Sequence, residues 1–105
     1  MTIEELRAHL AAALKIPAAL YGFRGGNLKT SAMVLSTTGE NAYKGDDTNA
    51  ERAREVSIDL YVAEASDALP DALVVELLAL GLPYRLNVDF QEDTNLRHVE
   101  IITEI

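Results

Sequence analysis

Apolar and polar residues alternate most regularly over residues 56–62. There Val56, Ile58, Leu60 and Val62 interleave with Ser57, Asp59 and Tyr61. A two-residue period belongs to a strand with one buried face. This strand is expected over about 51–62, its first residues, Glu51-Arg52-Ala53-Arg54-Glu55, being mixed in charge. A second strand is expected over 31–38, where Met33 and Leu35 alternate with Ala32 and Val34. A third covers 83–91, with Tyr84, Leu86, Val88 and Phe90 set against Arg85, Asn87, Asp89 and Gln91. The last covers 96–104, with Val99 and Ile101 on one face and Ile102 on the other. Residues 92–95 are the turn that pairs the last two as a hairpin.

The pattern changes to a helical period at two places. Ile3, Leu6, Leu10 and Leu14 follow one another at helix spacing, and Thr2 with Glu5 forms a Thr-x-x-Glu capping box. Pro17 ends this helix, expected over 3–15. The second helix is expected over 67–80, capped by Ser66 or Asp67, with Pro70 in its first turn and Gly81 as its stop. From residue 71 to 80 only Asp71 and Glu76 are polar, more apolar surface than one sheet-facing stripe needs. Val74, Val75 and Leu78 therefore need cover, from a neighbouring subunit or from the other helix. Residues 18–23 form a brief extended piece. The order is α-β-β-α-β-β, an α+β fold: a mainly four-stranded antiparallel sheet with two helices packed on one side, spanning 1–105 as one domain.

Between the first two strands lies a polar run, 39–49, with no apolar period. Loops of this length are where small domains carry function. Asp46, Asp47 and Asn49 lack the spacing and closing glutamate of a calcium loop, so a solvated loop is expected.

Charge is divided along the chain. The net charge is −8; residues 1–55 balance seven acidic against seven basic side chains, and residues 56–105 set ten acidic side chains against Arg85 and Arg97. Such a chain is not built to grip phosphate. The acidity serves solubility, or it keeps a surface near nucleic acid from adhering to it. The absence of cysteine excludes disulfides and thiolate chemistry. No apolar run reaches a membrane span, and Glu4 and Glu5 stand where a signal peptide needs positive charge, so a protein made in the cytoplasm and free of the membrane is expected.

No catalytic constellation is visible. Neither His9 nor His98 stands in a metal-ligand spacing, and His98 is expected at the surface. Gly25-Gly26-Asn27 lacks the Gly-Lys-Ser/Thr of a phosphate loop, and no Gly-x-Ser-x-Gly elbow occurs. The carboxylate pairs Asp46/Asp47 and Glu92/Asp93 fall in loops. No cofactor, metal or catalytic residue is expected, and the chain reads as a non-enzyme that works by contact.

A series of motifs resembles one family. Tyr21-x-Phe23 is followed by a strand, then Asn41-Ala42-Tyr43 leading to Asp46-Asp47, then Glu55-Val56-x-Ile58-x-Leu60-Tyr61, and a helix ending Gly81-Leu82-Pro83-Tyr84. In order and spacing this is similar to the tail terminator, or tail completion, proteins of long-tailed bacteriophages and prophages. It departs from them at Lys29-Thr30-Ser31, where relatives have Pro-Tyr, at Val62, where relatives have Thr, and in a last strand without tyrosines. The resemblance implies a virion protein at the tail–head junction, made in the bacterial cytoplasm. It implies a homo-oligomeric ring, typically a hexamer, that caps the tail tube, ends its polymerisation and meets a head-closure or neck protein while DNA passes the lumen unbound. The interface residues expected on this reading are Tyr43, Lys44, Asp46, Asp47, Arg52 and Arg54 from the loop and strand entry, with Val74, Val75 and Leu78 from the second helix. The alternative is a small bacterial module that recognises a protein partner through a sheet edge.

Overall fold

The computed structural model describes residues 1–21, 30–37, 54–63, 67–91 and 96–105. The capping box at Thr2 forms as its sequence predicts: the Thr2 hydroxyl accepts from the Glu5 amide at 3.0 Å, and the Thr2 amide donates to Glu5 Oε1 at 2.8 Å. It starts α1, Ile3–Leu14, which buries Leu6, Leu10 and Leu14 on one stripe. Lys15, in the left-handed conformation, closes the helix.

The second helix, α2, covers Ala68–Ala79. Asp67 occupies the N-cap position without making a capping hydrogen bond. Its carboxylate is drawn instead to Arg97 Nη1 at 2.6 Å, a charged partner that outcompetes a backbone amide. Gly81 (φ +74°) ends the helix. Its amide returns to Leu78 O and the Leu82 amide to Leu77 O, both at 3.0 Å, the paired return bonds for which a left-handed glycine is suited.

The strands are β1 Ala18–Leu20, β2 Ala32–Thr37, β3 Glu55–Val62, β4 Tyr84–Gln91 and β5 Arg97–Glu104. They form one sheet in the order β1-β2-β3-β5-β4. The expectation of four antiparallel strands is therefore corrected to a mixed sheet of five. The extended piece after α1 joins the sheet as an edge strand, with Ala18, Ala19 and Leu20 parallel to Met33, Val34 and Leu35. Three residues are too few to show a period, and only the return of the chain to β2 makes a strand of them. The other pairings are antiparallel.

Register sorts the side chains onto two faces. Val56, Ile58, Leu60 and Val62 of β3, Met33 and Leu35 of β2, and Val99 and Ile101 of β5 are buried with the leucines of α1 and with Leu73 and Leu77 of α2. Both helices therefore cover the same face. No helix among the described residues is long and apolar enough to cross a membrane.

The alternation expected along β4 is also corrected. Leu86 stands opposite Ile101, but Val88, not Asn87, stands opposite Glu100. Asn87 is the extra residue of a β-bulge. Tyr84 and Leu86 stay on the helix-covered face, while Val88 and Phe90 move to the open face and Asp89 to the covered one, opposite Val99. Deleting Asn87 should thus preserve the pairing of 88–91 with 97–100. Cross-strand NOEs between Val88 and Glu100 and between Phe90 and His98 should survive; a shift of these pairs by one residue would contradict the bulge assignment. Within the core, Leu10→Ala should lower unfolding stability by about 2–5 kcal/mol in urea titration.

Candidate functional site

Three features stand out once the core is set aside: a groove beside the β4 edge, an ion-paired arginine at its end, and a polar cluster on the open face.

The groove lies between α2 and the outer strand β4 and encloses about 310 Å³. Pro70 and Val74 form one wall, Tyr84 and Leu86 the other, and Val99 and Ile101 the floor. Its apolar lining continues outward. Leu78 lies one turn beyond Val74 on α2, and Val75 neighbours Leu78 at a spacing of three; Val75 and Leu78 are 60% and 59% exposed, and Leu86 is 58% exposed. Of the surplus that α2 announces in sequence, Leu73 and Leu77 enter the core and Val74 is half-buried, but Val75 and Leu78 remain in solvent. The other helix leaves these two uncovered: α1 reaches α2 through the polar pair His9 Nε2 and Glu76 Oε1 at 2.9 Å. Fully burying either aliphatic side chain would contribute about 1.5–3 kcal/mol.

Arg97 closes one end of the groove. Its Nε and Nη2 bond the two oxygens of Asp89 at 2.9 Å each, and its Nη1 bonds Asp67. The hydrogen bond from Arg97 is the main cause that pulls the Asp89 carboxyl below its ordinary range. Asp89 reaches this arginine because the bulge turns it to the covered face.

On the open face, His98 stacks on Tyr61 with ring centroids 4.7 Å apart and meets the edge of Phe90 at 5.3 Å. Its Nε2 lies 2.7 Å from Asp59 Oδ1. The expected surface histidine is thus half-buried between two rings. Asp59 and Glu100 stand directly opposite each other on β3 and β5, an unfavourable pairing of like charges. The Ser57 hydroxyl is directed at both carboxylates, and Asn87 Nδ2 donates to Glu100 Oε1 at 2.7 Å. Serine, histidine and aspartate therefore meet here, but in the wrong order for nucleophilic catalysis. The Asp59 carboxylate lies between the hydroxyl and the imidazole, so no imidazole faces the serine. Among the described residues no group of three or more His, Asp or Glu is arranged to hold a metal, and no buried side-chain polar atom lacks a hydrogen-bond partner.

Of the interface residues expected from sequence, Val74, Val75 and Leu78 lie together on α2. Arg54 is exposed where β3 begins, its backbone paired with Ile105. Tyr43, Lys44, Asp46, Asp47 and Arg52 lie outside the described residues, as do the pairs Asp46/Asp47 and Glu92/Asp93. Sequence reasoning missed the Ser57–Asp59–Glu100 cluster, whose members are separated along the chain. The alternation of 56–62 did place Ser57 and Asp59 on one face. Comparison with protein-family models and with curated proteins finds no match to this chain.

Glu100 provides a measurable pH response. Hydrogen bonds from Ser57, then from Asn87, stabilise its ionised form and lower its folded pKa. The associated stability is complete above the unfolded carboxyl value of about 4.3 and is lost as pH falls through the folded value. Glu100→Gln should therefore flatten the acid limb of stability against pH, read as the urea midpoint below about pH 5. An acid limb as steep as that of the native chain would contradict this role.

Proposed function

We propose that this chain is a non-enzymatic assembly protein of the tail-terminator type, which closes into a ring on the end of a phage tail tube, stops its growth and joins it to the head. The observation that carries this reading is the uncovered apolar side of α2, Val75 and Leu78, beside a groove and a strand edge that extend the same surface. A small protein that leaves such a surface in water is built to bury it against another chain. The motif resemblance across 21–84 names the kind of assembly. The open sheet face supports the same reading. Its strand positions carry Glu55, Asp59, Glu100 and Glu104 against Arg85, which is 3.6 Å from Glu55. As a lumen lining, this acidic face would let DNA pass by like-charge repulsion. The segment around Tyr43, Lys44, Asp46 and Asp47, with Arg52 and Arg54, is assigned to contact with the tube or neck protein.

The β4 edge also favours a second reading, in which a single partner segment adds a strand there and the chain is a regulatory binding module.

Light scattering and negative-stain imaging, with and without tail-tube protein, decide between the two. Ring-shaped particles on tube ends, lost in Val75→Asp and Leu78→Asp variants that keep native circular dichroism, are the expected result. Monomers alone in both conditions would overturn the ring. Deleting residues 43–49 should leave the fold intact and abolish tail completion; an unchanged yield of infectious particles would refute that segment's role.

A further inference from the structure

The two outer strands of the sheet differ in charge as well as in position. β1 and β2 at one end, with α1 above them from Leu6 onward, come from a stretch with no acidic residue between Leu6 and Gly39, while the first turn of α1 carries Glu4 and Glu5. β4 at the other end, beside α2, belongs to the part that carries the whole net charge.

Placement of individual charges follows this division. Pro17 O and the Tyr21 amide bond β2, so the alternation of a parallel pair turns the N–H and C=O groups of Ala18 and Leu20 outward. Arg7 lies at that outer side, its Nη1 donating to Ala18 O at 3.2 Å and its Nη2 paired with Glu4 at 2.7 Å, and Lys15 is exposed just before the strand. At the far edge, Asp67, Asp71 and Asp89 line the groove between α2 and β4; Asp67 and Asp89 share Arg97, and Asp71 stands exposed beside them. Among the described residues no strand lies outside either β1 or β4.

We infer that the β4–α2 edge of one copy receives the β1–α1 edge of a second copy, head to tail. Arg97 already pairs Asp67 and Asp89, so a two-fold contact of β4 with β4 would bring the Asp71 side chains of both copies together, whereas the head-to-tail contact sets Asp71 against Lys15. Successive copies related by rotation about an axis along the strands keep one strand direction. β4 runs antiparallel to β5, β5 to β3 and β3 to β2, while β1 runs parallel to β2. β4 would therefore meet the incoming β1 antiparallel, and the two sheets become continuous. The incoming α1 end covers Val75, Leu78 and Leu86. A contact of this kind is heterologous, and it closes into a ring when the rotation allows. The inference rests on the self-association in the proposed function but not on the tail.

The chain has no cysteine, so single thiols report the contact without background. Ala19→Cys marks the β1 edge and Arg85→Cys the β4 edge, both on the open face. With a short bis-maleimide, a mixture of the two variants should give a covalent dimer containing one of each, and neither variant alone should. Cross-linking of Arg85→Cys by itself as efficiently as the mixture would overturn the inference in favour of a two-fold contact. No cross-link in the mixture, whether the chains are oligomeric or monomeric by light scattering, would overturn it outright. Charge reversal gives a second test through folded variants. Lys15→Glu and Asp71→Lys should each weaken association at low salt, and mixing the two should restore it; no restoration overturns the pairing of these edges. Cross-linking without tube capping would leave this contact standing and remove the tail function. Capping without the mixed cross-link would do the reverse.

Discussion

The constraint on which the structure depends is the one-sided burial of β3. Val56, Ile58 and Leu60 are fully buried and Val62 nearly so, at the centre of the sheet. A slip of one residue would send all four to the opposite face and bring Ser57, Asp59 and Tyr61 under the helices, so register is tightly specified. Both flanking strands obey it. Met33 and Leu35 of β2 stand opposite Leu60 and Ile58, and Val99 and Ile101 of β5 oppose the same two residues from the other side. The leucines of α1 and α2 close the layer. The same constraint gathers the charged side chains of β3 and β5 on the open face, where Asp59 and Glu100 have to be reconciled by Ser57, Asn87 and His98.

Away from β3 the constraint weakens and the edges diverge. β1 is short, and in the single copy Arg7 bonds its outward Ala18 carbonyl, a bond that an incoming strand would replace. β4 is longer and carries a bulge instead. The bulge sends Val88 and Phe90 to the open face, where Phe90 supports His98, and turns Asp89 inward to Arg97. Arg97 in turn draws Asp67 away from capping α2. One extra residue thus links the aromatic cluster, the ion-paired end of the groove and the start of α2.

The proposed assembly places its contacts on the parts of the chain that folding alone does not use. Val75, Leu78 and Leu86 contribute little to the core of one copy and remain exposed. The polar network of the open face has the opposite character: its hydrogen bonds are made within the chain.

The sequence by itself determined the elements with a full period and their local signals. The strand at β3, both helices, the Thr2 capping box, the Gly81 stop and the β4–β5 hairpin are all legible, because each depends on spacing within a few residues. So is the surplus of α2, since a helix with so few polar residues cannot hide them all against one sheet. What only the tertiary structure decided depends on residues far apart in the chain. β1 is a strand because β2 lies beside it, and its three residues carry no period of their own. The face of Val88, Phe90 and Asp89 was set by a bulge that an unbroken alternation in sequence conceals. His98 became half-buried because Tyr61 and Phe90 arrive from two other strands. Which apolar residues of α2 stay exposed was settled by where α1 and the sheet end, a matter of packing that no local pattern records.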